Sequence, residues 1–94
     1  MILKGDTVRL KCHFKTFNGT LVDPTNVKLT IYDDTEIQTE QFILNDTNRE
    51  SVGVFYMDYV PASQLNEVFY FEFSGSFNNK PILSRGKVKI QFSK

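Results

Sequence analysis

Residues 52–59 read VGVFYMDY and residues 68–73 read VFYFEF, and these two runs decide the fold. Aromatic and β-branched residues at this density are typical of strands that pack on one face. Alternate side chains of a strand point to opposite faces, so a solvent-facing Asp58 and Glu72 fix both registers. The core residues predicted in this way are Phe55, Met57, Tyr59, Phe69, Phe71 and Phe73. In the same registers five side chains point outward, and they form a surface that either loops or a partner must cover. They are Val52, Val54, Tyr56, Val68 and Tyr70.

Three other segments also alternate with the period of a strand. In residues 7–17 the inward side chains are Val8, Leu10, Cys12 and Phe14, and the outward ones are Arg9, Lys11, His13 and Lys15. In the next strand the inward side chains are Val27, Leu29 and Ile31, and the outward ones are Lys28, Thr30 and Tyr32. After Gly86 the inward side chains are Val88, Ile90 and Phe92, and the outward ones are Lys87, Lys89 and Gln91.

Residues 36–44 do not alternate cleanly. A solvent-facing Glu40 predicts that Phe42 and Leu44 lie outside. The inward side chains in that register are Ile37, Thr39, Gln41 and Ile43. Because this set is poorly apolar, we expect a bulge or a change of sheet near Gln41.

Turn residues separate the strands at regular intervals. The pairs and runs that predict turns lie at residues 18–19, 33–35 and 78–81, and residues 63–65 suit one helical turn. Gly53 lies inside a strand pattern, which indicates a bulge or a close approach of another backbone. About seven short strands without a helix-period segment predict a seven-stranded antiparallel immunoglobulin-like β-sandwich, with a small β-barrel as the structural alternative.

Length and composition agree with one small all-β domain over residues 1–94. Nine Phe and four Tyr supply large rings for a core that has no disulfide, because Cys12 is the only cysteine. The chain has no Trp, so the antibody-type combination of Trp and a cysteine pair is absent. The first residues lack the apolar run of a signal peptide, and no segment has the length of a membrane helix.

The formal net charge is zero, but the charges are unevenly distributed. Residues 1–32 hold five basic and two acidic groups, residues 33–72 hold one and nine, and residues 73–94 hold five and none. In an immunoglobulin-like order we expect the first and last strands to be neighbours, which would join their outer faces. The candidate partner-binding residues are Arg9, Lys11, His13, Lys15, Lys87 and Lys89, together with the outward tyrosines Tyr56 and Tyr70.

Three interpretations of such a basic face remain open. It is an ordinary solvated face whose lysines protect a sheet edge from aggregation, or it docks onto an acidic protein surface such as the middle of another copy. In the third interpretation the face binds nucleic acid through its phosphates. This interpretation is the least favoured, because most aromatic rings that would stack on bases are assigned to the core.

The residues contain no catalytic, cofactor or metal constellation. Cys12 and His13 are neighbours in a strand and therefore point to opposite faces, which excludes a nucleophile–base pair between them. One His and one Cys do not make a zinc set, and the acidic run 33–36 is typical of a solvated turn. We therefore expect a protein that is not an enzyme and holds no cofactor.

Four motifs carry a resemblance to a family. They are Gly5-Asp6-x-Val8, Asp23-Pro24-x-x-Val27-x-Leu29-x-Ile31, Gly53-x-Phe55-Tyr56-x-Asp58-Tyr59-x-Pro61 and Phe69-x-Phe71. In this order they resemble small immunoglobulin-like modules of tailed-bacteriophage particles, and they are similar to macroglobulin-like and adhesin-like modules of bacterial surface proteins.

The phage resemblance implies a structural protein at the head–tail junction or tail that binds other virion proteins or copies of itself. It also implies a location in the virion after synthesis in the bacterial cytoplasm. The alternative functions are an extracellular adhesion or stalk module that binds a host ligand or carbohydrate, and an accessory domain of an enzyme.

Overall fold

The chain folds into β-strands joined by short turns. The computed structural model describes residues 2–3, 7–61 and 68–91. Its strands are β1 (Ile2–Leu3), β2 (Val8–His13), β3 (Thr25–Tyr32), β4 (Gln38–Ile43), β5 (Arg49–Ser51), β6 (Val54–Tyr59), β7 (Val68–Phe77) and β8 (Lys80–Gln91). A single 3₁₀ turn, Asp46–Asn48, precedes β5, and the described residues contain no α-helix. The all-β class is confirmed, whereas the predicted helical turn at 63–65 and the position of Phe92 lie outside the described residues.

Seven of the strands pair in two antiparallel sheets. The small sheet has the order β2-β6-β5, and the large sheet has the order β8-β7-β3-β4 with β1 added in parallel beside β8. The chain changes sheet between β1 and β2, between β2 and β3, between β4 and β5, and between β6 and β7. These pairings give two open sheets within the described part of the chain, not the closed ladder of a barrel.

The core lies between the sheets and consists largely of the predicted residues. The Phe14 ring meets the Phe55 ring edge-on, with centroids 5.7 Å apart, and Tyr59 of the small sheet meets Phe69 of the large sheet at 5.6 Å. Edge-to-face contacts of this kind add to the stabilisation from burying the rings. The predicted core residues Phe55, Tyr59, Phe69 and Phe73 are buried, and Met57 and Phe71 are half-buried against them. The registers predicted for β2, β3, β6 and β7 are therefore confirmed.

The register predicted for β4 is wrong. Leu44 is buried and Phe42 packs against the core, whereas Ile43 is 80% exposed. Ile31 pairs with Glu40 but Tyr32 pairs with Gln38, so the irregularity falls at Thr39, two residues before the predicted position. The extra residue reverses the alternation and turns Glu40 toward the core edge. The charge is accommodated there because the Tyr59 hydroxyl donates a 2.5 Å hydrogen bond to the carboxylate.

Two side chains predicted to be exposed on outer faces are buried. Thr30 is 3% exposed, and its hydroxyl accepts a 3.1 Å hydrogen bond from the Gln41 side chain beside it. Val54 is 5% exposed without belonging to the main core cluster, and it lies between its cross-strand partners His13 and Ser51. Neighbouring strands therefore cover both positions.

Two glycines permit close packing that a β-carbon would prevent. Gly53 has φ +74°, and a β-carbon there would lie 3.0 Å from backbone atoms of Phe14 and Val22. This confirms the predicted close approach. Gly86 was predicted to precede the last strand, and this is wrong. It lies within β8, opposite Phe71. The Phe71 ring fills the space beside Gly86, only 2.4 Å from the place of a β-carbon.

Candidate contact surface at one end of the sandwich

The predicted joint basic face does not form. β2, which carries Arg9, Lys11 and His13, pairs with β6 in the small sheet. β8, which carries Lys87 and Lys89, pairs with β7 and β1 in the large sheet. The expectation that these strands are neighbours is wrong because the two-residue β1 takes the place beside β8. Whether the individual residues bind a partner stays a prediction.

The cations on β2 also have partners within the molecule. The Arg9 guanidinium donates to both carboxylate oxygens of Asp58 at 2.8 and 3.1 Å, and Lys11 lies 2.8 Å from Glu50. The hydrogen bond from Arg9 lowers the pKa of the Asp58 carboxyl, and that from Lys11 lowers the pKa of Glu50. Arg9 also lies over the Tyr56 ring, 4.3 Å from its centroid. The outer face of the small sheet is thus a mixed-charge surface.

The two predicted tyrosines lie on different sheets. Tyr56 is on β6 in the small sheet, and Tyr70 is on β7 in the large sheet, between Tyr32 of β3 and Lys87 of β8. Both tyrosines are half-buried. The two tyrosines therefore do not extend one common surface.

Lys15 lies close to an exposed aromatic side chain, that of Phe17. It follows the end of β2 and forms an isolated antiparallel bridge with Leu21 across the turn at residues 18–19. The amide of Thr16 donates to the carbonyl of Thr20 at 2.9 Å, and Gly19 takes φ +84° to close the turn. This geometry holds the Phe17 side chain fully in solvent at the tip.

The turn between β7 and β8 lies beside this tip. Asn78 and Asn79 have φ values of +52° and +63°, and Phe77 pairs with Lys80 across them. Positive φ at both central residues is the geometry of a tight two-residue hairpin, which asparagine tolerates better than most residues. The predicted turn is confirmed at Asn78 and Asn79, whereas Lys80 and Pro81 already belong to β8.

An open groove of about 730 Å³ runs between the two turns. We call it the end groove; its main lining residues are Lys15, Phe17, Phe77, Lys80, Pro81 and Leu83. Apart from two lysines its lining has no charged side chain, and Phe17 and Leu83 are exposed apolar groups. Contiguous exposed apolar surface with a polar rim is typical of a site of protein–protein contact.

The Asp23 carboxylate holds the neighbouring turns together, and we call this set of contacts the Asp23 clamp. Asp23 accepts hydrogen bonds from the Gly53 amide at 2.8 Å and from the Arg49 guanidinium at 2.9 and 3.1 Å. The Arg49 side chain and the Gly53 amide lower the pKa of Asp23. In turn the Phe14 amide donates to the Gly53 carbonyl at 2.7 Å. The strand that leads to Phe17 is therefore tied to the β5–β6 turn on the small sheet.

The remaining candidates for chemistry are the thiol of Cys12 and groups of metal-ligating side chains. Cys12 is buried, which raises the pKa of its thiol to about 12 and keeps it protonated at neutral pH. Across residues 2–3, 7–61 and 68–91 no three His, Cys, Asp or Glu residues are grouped to hold a metal ion. None of the helices in the described part of the chain has the length and apolar character to cross a membrane.

No protein-family model matches the chain, and the searches of curated proteins and of solved structures give no match either. Inference about its function therefore depends on the residues themselves.

Most of the end groove is not evident from the sequence. Residues 78–81 were expected to form a turn and nothing more, and Phe17 was left outside both faces of its strand. The sequence feature that could have revealed this residue is a large aromatic side chain directly before the turn pair Asn18-Gly19. In a strand with alternating side chains, this position points to the face opposite that of the inward Phe14. An aromatic side chain in that context has no core to enter.

Proposed function

We propose that the chain is a structural module with an immunoglobulin-like strand order that works by binding other proteins, as a component of a tailed-phage particle. The order β2-β6-β5 against β8-β7-β3-β4 corresponds to strands B, E, D against G, F, C and C′ of that fold. The motif resemblance supplies the phage context. The exposed Phe17 at the end groove carries the argument for protein contact.

The chemistry of the end groove favours a partner that is both apolar and acidic. Phe17, Pro81 and Leu83 offer apolar surface, and Lys15 and Lys80 are the charges beside it. Aromatic anchors dominate the energy of many interfaces, and charge at the rim sets orientation and rate of association. A partner loop that inserts an apolar side chain flanked by Asp or Glu would match both features. The end groove is formed by the B–C and F–G turns, which in immunoglobulin-like domains are placed to meet partners.

Purified particles provide the test. We expect mass spectrometry to detect the chain in purified virions, and a photo-crosslinking amino acid at position 17 to give a discrete covalent product with one virion protein or with a second copy. The matched control carries the same crosslinker at position 37, on the turn after β3. Absence of the chain from particles would refute the phage role. Equal products from both positions would refute the end groove as the contact surface.

A further inference from the structure

The outer face of the large sheet carries a second, smaller cavity, unconnected with the end groove. It has a volume of about 180 Å³ and is lined by side chains or backbone of Tyr32, Glu36, Tyr70, Phe71, Glu72, Arg85 and Gly86. Drug-sized ligands usually occupy about 300–1,000 Å³. This cavity therefore suits a single small ring.

Cross-strand pairing assembles the cavity from three adjacent strands of the large sheet. Tyr32 of β3 lies directly opposite Tyr70 of β7, and the next row places Glu72 opposite Arg85 of β8. Side chains in neighbouring rows on one face lie within reach of each other. Three adjacent strands thus present two phenols, a carboxylate and a guanidinium to the same space.

The Arg85–Glu72 pair is held in place but is still open to a ligand. The Arg85 Nε donates a hydrogen bond to Glu72, whose side chain is only 12% exposed, while the side chain of Arg85 is 73% exposed. Glu72, Tyr32 and Glu36 all raise the pKa of Arg85, so the guanidinium lies within electrostatic reach of these three groups. The remaining N–H groups of Arg85 are placed to donate outward, because a guanidinium has five donors in a fixed fork.

The charges around the cavity balance. Within the lining, Arg85 stands against Glu36 and Glu72; outside the lining, the neighbouring Lys87 opposite Tyr70 supplies the second positive charge. An anion such as phosphate would be repelled by two carboxylates, and a cation by the guanidinium and the ammonium. A neutral ligand with several hydroxyl groups uses both the donors and the acceptors, and tyrosine rings provide flat apolar surface against its ring.

We infer that this cavity is a binding site for one neutral sugar ring, with Tyr32 and Tyr70 contacting the ring and with Arg85 and Glu72 hydrogen-bonding its hydroxyl groups. The inference does not depend on the proposed function, since the two sites share no residue. It would give the chain a means of attachment to a glycan-bearing surface.

Amide chemical-shift mapping on the ¹⁵N-labelled full chain tests the site. The probes are the methyl glycosides of glucose, galactose, mannose and N-acetylglucosamine. We expect at least one of them to shift the amides of Tyr32, Tyr70 and Gly86 with a millimolar Kd, the strength that a few hydrogen bonds and one ring contact give. No shift with any glycoside up to tens of millimolar, or shifts confined to residues 15–21, would overturn the inference.

Variants separate the sugar site from general surface effects. We expect Tyr70→Ala and Arg85→Met each to weaken binding about tenfold or more, because each removes a ring contact or charge-assisted hydrogen bonds. Tyr56→Ala on the opposite sheet and Phe17→Ser in the end groove should leave the sugar Kd unchanged. Unchanged affinity in both cavity variants would overturn the inference.

Discussion

Tyr59 of the small sheet donates a 2.5 Å hydrogen bond to the Glu40 carboxylate on β4 of the large sheet. The phenol is buried and packs edge-on against Phe42 of β4 at 6.0 Å and against Phe69 of β7 at 5.6 Å. One side chain therefore joins both sheets by apolar and polar contacts. The same hydrogen bond stabilises a carboxylate that the bulge at Thr39 turns inward.

Removing only the hydroxyl should measure that link. We expect Tyr59→Phe to lower the free energy of unfolding by about 1–3 kcal/mol, because the half-buried Glu40 would lose its partner while the ring contacts remain. Urea denaturation at neutral pH provides the measurement. Tyr56→Phe, on the outer face of the same strand, is the matched control and should change little. Equal effects of the two substitutions would contradict the link.

Gly86 and Phe71 should be energetically coupled. A β-carbon at position 86 would lie 2.4 Å from the Phe71 ring, so the ring must move. We expect Gly86→Ala to destabilise the fold by about 1–3 kcal/mol, the usual cost of overpacking. In a Phe71→Leu background the same substitution should cost less, because the smaller side chain leaves room. A double-mutant cycle by urea denaturation measures the difference, and strict additivity would contradict the contact.

Sequence predicted the strands whose inward positions are all large and apolar. β2, β3, β6 and β7 satisfy this condition apart from the small Cys12. Period-two alternation gives the registers of β2 and β3, and the solvent-facing Asp58 and Glu72 give those of β6 and β7. β4 does not, because its inward set includes Glu40, and a carboxylate is normally assigned to water. The phenol of Tyr59, nineteen residues along the chain, makes that position acceptable. A contact of this range is invisible to a local pattern.

The candidate surface was harder to predict because it depends on which strands are neighbours. The lysines of β8 and the basic residues of β2 alternate equally well, but alternation does not say that they belong to different sheets. The end groove likewise requires two turns, sixty residues apart in sequence, to meet. Local turn chemistry predicted both turns and gave no information on their proximity.

The thiol of Cys12 should report unfolding. Burial raises its pKa to about 12, so it is protonated and shielded at neutral pH. Thiolates, not thiols, react with disulfide reagents. We expect labelling of the native chain to be slow and to accelerate with urea in step with loss of structure. A Phe17→Cys variant, which places a thiol at the fully exposed tip, should react at once. Fast labelling of Cys12 in the native chain would contradict its burial.

The Asp23 clamp should make stability depend on acidity. Its folded-state pKa lies below the unfolded value of about 3.9, so the clamp stabilises the fold above that pH. The contribution disappears as the pH falls through the lowered folded-state pKa, because the unfolded chain binds the proton more readily. The effect is modest because the pair is partly exposed.

Urea midpoints measured at decreasing pH provide the check. We expect the midpoint of the parent chain to fall below about pH 4, and Asp23→Asn to reduce that fall by removing one of the titrating groups. Asp58→Asn removes the comparable pair with Arg9 and tests whether the two contributions add. An unaltered pH profile in the Asp23 variant would contradict a role for the clamp in stability.

The end groove makes the sharpest prediction, because its key residue supports contact without supporting the fold. Phe17 is fully exposed, so Phe17→Ser should change the free energy of unfolding by no more than about 0.5 kcal/mol. Binding to the partner identified by crosslinking should weaken about tenfold or more, since loss of an aromatic anchor costs at least 1–2 kcal/mol at many interfaces. Ile37→Ser removes a side chain that is 63% exposed at the opposite end of β3, and it should leave binding unchanged.

Raising the salt concentration should weaken binding by the parent chain through Lys15 and Lys80, and the double substitution of these lysines by Ala should remove that dependence. Equal binding by the Phe17 and Ile37 variants, measured by isothermal titration calorimetry, would place the contact elsewhere on the molecule.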